Sequence, residues 1–134
     1  MIVDSAKLLT AIAILLDISK HEEPLKLFYV AERQGIDCEY AETIMRKLRV
    51  SKLVKTSRGI EGGYYISKKE PILIKDVCLA LGISMTPSIS FISHGFKRTL
   101  EREYGENFLL ELNESFVKFF NKNLDDLIKQ ERES

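Results

Sequence analysis

The sequence is short of the residues from which most catalytic and metal chemistry is built. It holds two cysteines, Cys38 and Cys78, in 134 residues. Two such distant thiols make no disulfide framework and no zinc-ligand spacing, so reduced thiols in a cytoplasmic protein are expected. The two histidines, His21 and His94, stand in no recognisable constellation with serine, cysteine or carboxylate. No glycine-rich phosphate loop opens a helix, and an enzyme is therefore not expected. Long apolar runs are missing too: Ala11 to Leu16 is too short to span a bilayer, and Asp4 and Lys7 interrupt the segment before it. A positively charged leader followed by a small-residue cleavage site is also lacking, as are internal repeats. The formal net charge is zero, which by itself gives no electrostatic case for nucleic acid.

The distribution of charge does give one. Between Arg46 and Lys69 stand eight bases (Arg46, Lys47, Arg49, Lys52, Lys55, Arg58, Lys68, Lys69) against one acid, Glu61, whereas from Pro71 onward there are eight bases and ten acids. One face meeting phosphate and another that does not would leave this footprint; a solvated charged face is the alternative. The apolar spacing predicts a first helix from Asp4 to Ser19, with Leu8, Ile12, Leu15 and Leu16 on one side and Ile14 and Ile18 on the other. A helix apolar on both sides needs two packing partners, which suggests a second subunit. Pro24 marks the start of a second helix, Leu25 to Gln34, closed by Gly35, and Asp37 is a good N-cap for a third. On that third helix Ala41, Ile44, Met45 and Leu48 face inward, while Glu39, Glu42, Thr43, Arg46 and Lys47 face out. Two helices joined by a tight glycine turn fit a helix-turn-helix or any αα-hairpin.

The following segment discriminates between them. Leu53 to Ser57 and Tyr64 to Ser67 are β-prone and flank the turn-rich Gly59 to Gly63, so a hairpin follows the third helix directly. Helix, turn, helix, hairpin is a winged helix. Arg58 at its tip is placed to enter a narrow minor groove, where negative potential concentrates. Beyond it come a short helix, Lys75 to Leu81, closed by Gly82, and a loop, 83–95. A long amphipathic helix then runs from Phe96, with Gly105 as a possible bend, and a last segment from Asn123 to Gln130. The fold class expected is mainly α with a small β-hairpin: a winged helix-turn-helix over 1–82, a linker or sensor-equivalent loop over 83–95, and a dimerisation helix with a C-terminal segment over 96–134.

The stretch Ala31-Glu32-Arg33-Gln34-Gly35-Ile36, followed by Tyr40-Ala41-Glu42, Leu48-Arg49, Leu53-Val54 and Arg58-Gly59-Ile60-Glu61-Gly62-Gly63-Tyr64, resembles the Rrf2 family of transcriptional regulators. The C-terminal Asn123 to Ile128 resembles the segment that closes its members. The resemblance implies a homodimer whose long helices cross, bound to double-stranded DNA at a partly palindromic operator, most simply as a repressor. It places Glu39, Glu42, Thr43 and Arg58 at base-contacting positions, a role compatible with glutamate accepting from cytosine N4 and threonine meeting a base edge or methyl; the two glutamates alternatively only solvate the helix. Arg46, Lys47 and Lys55 suit phosphates, and Gly59, Gly62, Gly63 and Tyr64 form the wing motif. Sensing members of the family carry three cysteines before the dimerisation helix, and residues 83–95 here contain none, so no iron–sulfur cluster and no other cofactor or metal is expected. Cys38, in the first turn of the third helix where thiolate is favoured, is either a redox thiol or, as the family's apolar residue at that place favours, a small buried side chain; Cys78 is expected in the core. The loop could also take a small apolar effector through Met85, Ile89 and Phe91. A protein-interaction or thiol-sensing module with weakened DNA binding is the competing function.

Overall fold

Helix α1, Ser5–Ser19, is the element around which the others assemble. In the computed structural model, which describes residues 5–67, 70–83 and 99–133, it is followed by α2 (Leu27–Gln34), α3 (Cys38–Val50), β1 (Lys55–Ser57), β2 (Gly63–Tyr65), α4 (Ile74–Leu81), α5 (Leu100–Phe120) and α6 (Leu124–Glu133). Residues 84–95 of the expected sensor loop, with His94 and the candidate effector side chains, lie outside the described residues, as do Lys68, Lys69 and the expected helix start at Phe96.

One core joins α1 to α2, α3 and α4. Ala11, Ile14, Leu15 and Ile18 of α1 are buried with Val30 and Ala31 of α2, Ala41, Ile44, Met45 and Leu48 of α3, and Val77, Cys78 and Leu81 of α4. The two apolar sides expected of α1 are thus covered unequally. The side bearing Ile14 and Ile18 is the core side, together with Leu15. Leu8, Ile12 and Leu16 are only partly covered. Both sides are apolar, so periodicity could not tell which one the chain itself would cover.

The turns between helices are built as their residues dictate. Gly35 ends α2 with φ 64°, and Ile36 N–H then reaches back to the Ala31 carbonyl at 2.9 Å, the six-to-one bond of a Schellman motif. Asp37 caps α3 by accepting from Tyr40 N–H at 3.2 Å. Gly82 closes α4 in the same way, with φ 71° and Ile83 N–H donating to Cys78 O at 2.9 Å. At the start of α4 the Asp76 carboxylate accepts from Leu73 N–H at 2.9 Å.

The start of α2 corrects the sequence reading. Leu25 is not helical. It exchanges two backbone bonds with Tyr64, Leu25 N–H to Tyr64 O at 2.9 Å and Tyr64 N–H to Leu25 O at 2.7 Å, and so adds a bridge to the wing. Lys26, extended at φ −74° and ψ 143°, precedes the helix without a side-chain cap. The strands are also shorter than expected: β1 and β2 pair antiparallel over three residues each, with Thr56 opposite Tyr64. Leu53 N–H instead bonds the Leu48 carbonyl at 2.9 Å, and Val54 is buried in the core.

Two further elements return the chain to its beginning. Thr99 caps α5 by accepting from Arg102 N–H at 3.2 Å, and the helix continues through Gly105 to Phe120. Asn123 then bridges to Leu73: Ile74 N–H donates to Lys122 O at 2.9 Å and Leu124 N–H to Ile72 O at 2.7 Å. Leu124 enters the core at 3% exposure. Asn123 Oδ1 also accepts from Asp125 N–H at 3.0 Å and so caps α6. The long α5 is different, because none of its residues is fully buried.

Candidate nucleic-acid interface

The outer face of α3 is set by its core face. With Ala41, Ile44, Met45 and Leu48 turned inward, helical phase leaves Glu39, Glu42, Thr43 and Arg46 exposed and Lys47 half-exposed. These are the polar residues expected there. Thr43 Oγ1 donates to the Glu39 carbonyl at 3.0 Å, which fixes its hydroxyl hydrogen toward the helix and leaves its methyl group and oxygen lone pairs for a neighbour. Arg46 lies 3.4 Å from Glu42, one turn earlier. Both side chains are more than half exposed, so the pair is weak and exchangeable, worth at most about 0.5 kcal/mol. A phosphate that recruits Arg46 would release Glu42.

Tyr40 and Cys38 are exposed as well. The expectation of a small buried side chain at Cys38 is thereby overturned. Its helical phase points it inward, but every residue from 37 to 40 is exposed, so the first turn of α3 projects past the helices that would cover it. Cys78 is buried as expected, and desolvation pushes its thiol pKa up.

The connection from α3 to the wing is tight. Lys52 takes a left-handed conformation, φ 64°, and the chain passes into β1 three residues later. Lys55 on β1 and Arg58 beyond it are exposed. At the tip Gly59 has φ 106°, a region that side chains resist, and its carbonyl accepts from Gly62 N–H at 3.0 Å. A β-carbon on Gly62 would overlap the Ser57 carbonyl, and one on Gly63 would stand 2.5 Å from the Leu25 carbonyl carbon and oxygen. The wing glycines thus have distinct reasons: backbone conformation at Gly59, close approach at Gly62 and Gly63. Tyr64 is half-buried against the core and held on one side by Thr56 and on the other by Leu25. It anchors the wing and does not present its ring at the tip.

Several features escaped the sequence reading. Asp17 is 7% exposed in α1, where its carboxylate accepts from Arg33 Nε and Nη2 at 3.2 and 3.1 Å and from Gln34 Nε2 at 3.2 Å. This holds the end of α2, and with it the turn before α3, against α1. An acid between two buried isoleucine turns was the available signal, since a buried carboxylate demands donors. Phe28 and Tyr29, exposed and edge-to-face at 5.6 Å, form an aromatic pair at the start of α2. Ile60, at the wing tip, is 94% exposed.

Comparison with known proteins bears on this arrangement. A family model described as Rrf2, iron-dependent transcriptional regulator, matches residues 4–130. The chain is 40% identical over 70 residues to protein rrf2 of Nitratidesulfovibrio vulgaris, covering 50% of this chain and 47% of that protein. It is 36% identical over 78 residues to the HTH-type transcriptional regulator IscR of Photorhabdus laumondii, covering 56% and 48%. It therefore spans about half the length of these curated relatives. Among solved structures, CymR, the global cysteine regulator of B. subtilis, superposes with a TM-score of 0.77 at 22% identity, over 97% of this chain and 98% of that one. T. potens IscR superposes with a TM-score of 0.62 at 27% identity, over 92% and 84%. No helix among the described residues is long and apolar enough to cross a membrane.

Proposed function

The chain belongs to the Rrf2 family of transcriptional regulators, and from that premise we propose that it is a homodimeric, sequence-specific repressor that acts without an iron–sulfur cluster. The observation that carries the reading is the pairing of an exposed polar α3 face with a wing whose tip is fixed by glycine and carries Arg58. Glu39, Glu42 and Thr43 are the side chains proposed to meet base edges in the major groove, and Arg58 the one for the minor groove. Arg46, Lys47 and Lys55 neutralise phosphates and make binding salt-dependent. The winged helix over 1–82 reads DNA, 83–95 links, and 96–134 dimerises, in a protein that works in the cytoplasm.

The family description implies iron, and the donor set here does not fit a cluster. The only two thiols of the sequence are exposed at the start of α3 and sealed in the core of α4, and among the described residues no group of three or more His, Cys, Asp or Glu could hold a metal ion. Anaerobic reconstitution followed by iron and sulfide analysis is expected to give neither in stoichiometric amount. Stoichiometric cluster with visible absorbance would overturn this part of the reading.

Selection of bound duplexes from a random pool tests the rest. The expected outcome is a partly palindromic site with half-sites about one helical turn apart. Arg58→Ala is expected to weaken binding to that site by about 1–3 kcal/mol and to lower the salt slope by about 1. Unselective, weak binding that Arg58→Ala leaves unchanged would instead indicate a protein-interaction module. A second reading, thiol-redox control, is favoured by the exposure of Cys38 beside the α3 face: peroxide would oxidise the thiol to a sulfenic acid and release water, adding bulk and polarity next to the DNA. An unchanged peroxide response in Cys38→Ser would dispose of it.

A further inference from the structure

We propose that Ile60 is an apolar wedge, which the wing drives into the minor groove between two base pairs so that the regulator reads how easily that step opens. The inference rests on the DNA-binding reading above. Ile60 is more exposed than any other large apolar side chain among the described residues, at 94%, and it takes no part in the core or in the side chains packed around it. A lone exposed isoleucine is ordinary on a surface. One held on a fixed turn is not. The Gly62 N–H to Gly59 O bond closes a four-residue turn with Ile60 and Glu61 at its centre, Gly59 supplies the positive φ, and Gly62 is packed where no side chain fits.

This construction makes the tip thin. Paired strands lie about 4.8 Å apart, and positions 59, 62 and 63 add no side chain, so the end of the hairpin suits a minor groove about 6 Å wide. The charges of the tip, Arg58 and Glu61, oppose each other. Arg58 is drawn to the narrow groove, while Glu61 is repelled by the phosphates of either wall, and electrostatics alone gives little net pull to full depth. The remaining group is an apolar side chain of the kind that unstacks base steps and kinks duplexes when inserted. Flexible pyrimidine–purine steps open most easily, so the wedge would favour them at a position no hydrogen bond reads.

The experiment uses the full chain and its selected duplex, with 2-aminopurine placed in turn at each adenine facing the wing and dyes at the two ends. Wild type is expected to brighten the probe at one step in each half-site and to shorten the end-to-end distance. Ile60→Ser is expected to lose both, to bind about tenfold more weakly, and to keep its salt slope and thermal melting; Ile60→Met is expected to retain the brightening. Equal fluorescence and bending in wild type and Ile60→Ser overturns the wedge whether or not affinity falls, and leaves the regulator reading standing. A wild type that selects no sequence overturns both.

Discussion

Gly63 leaves no room for a methyl group, because the atoms it would strike are the Leu25 backbone, which is itself bonded to Tyr64. Backbone cannot rotate away as a flexible side chain can. Gly63→Ala is therefore expected to cost about 2 kcal/mol in urea unfolding and to speed hydrogen exchange at the Tyr64 amide, reporting that the Leu25 bridge has loosened. An unchanged exchange rate would show that the bridge does not depend on this close approach. The motif residues of the wing were legible in the sequence as a turn-rich, glycine-spaced segment, but their separate reasons were not. Close approach at Gly63 depends on Leu25, nearly forty residues earlier, and no local pattern announces it. Cys38 teaches the same lesson in reverse. Its helical phase is inward, yet the first turn of α3 extends beyond its cover. Phase tells which way a side chain points; it does not tell whether anything is there.

At the scale of elements, the position of α3 depends on the join between α1 and α2. Asp17 accepts three hydrogen bonds from Arg33 and Gln34, at the end of α2 that leads through Gly35 to α3. Arg33 is 42% exposed, so on losing its partner it can turn to water, and the loss falls short of that for a wholly buried pair. Asp17→Ala is expected to lower stability by about 1–2 kcal/mol, read as a lower urea midpoint with an unchanged slope. It should weaken DNA binding more than Lys47→Ala does, since it shifts the whole helix and not one phosphate contact. A variant as stable as wild type would mean that the core alone fixes α2. The helices themselves were legible because capping and glycine stops coincide with the apolar period: Asp37, Gly35 and Gly82 all do what their residue types predict. Element ends were less so. Leu25 read as the first residue of a helix and proves to be a bridge to Tyr64, because the wing offers its backbone a partner that another helical turn would not.

For the whole molecule, the unanswered face is α5. Leu100, Tyr104, Phe108 and Leu112 recur at four-residue spacing and are all exposed, a continuous apolar stripe of the kind that marks an interface. Phe116 and Phe120, stacked at 6.3 Å, continue toward a groove of about 320 Å³ formed with Leu8, Ile12, Ile74 and Leu127. The partly covered side of α1 and the end of α5 therefore share one apolar surface. If this surface is the dimer interface, Phe108→Glu places a charge within it and is expected to shift sedimentation equilibrium from dimer to monomer, with loss of tight operator binding while the helical content is kept. A variant that remains dimeric would move the interface elsewhere.

From its own sequence the chain determines its helices, their caps, the wing turn and the family to which it belongs, because each of these rests on contacts within a few residues or on a motif readable in order. Only the tertiary structure decided which apolar side of α1 serves the core, that Leu25 joins the wing, that Asp17 binds Arg33, and that Leu73 and Asn123 bridge the two ends of the long C-terminal excursion. These depend on which distant groups meet when several amphipathic elements compete for the same buried surface. A hydrophobic face is encoded locally, but its partner is chosen by packing.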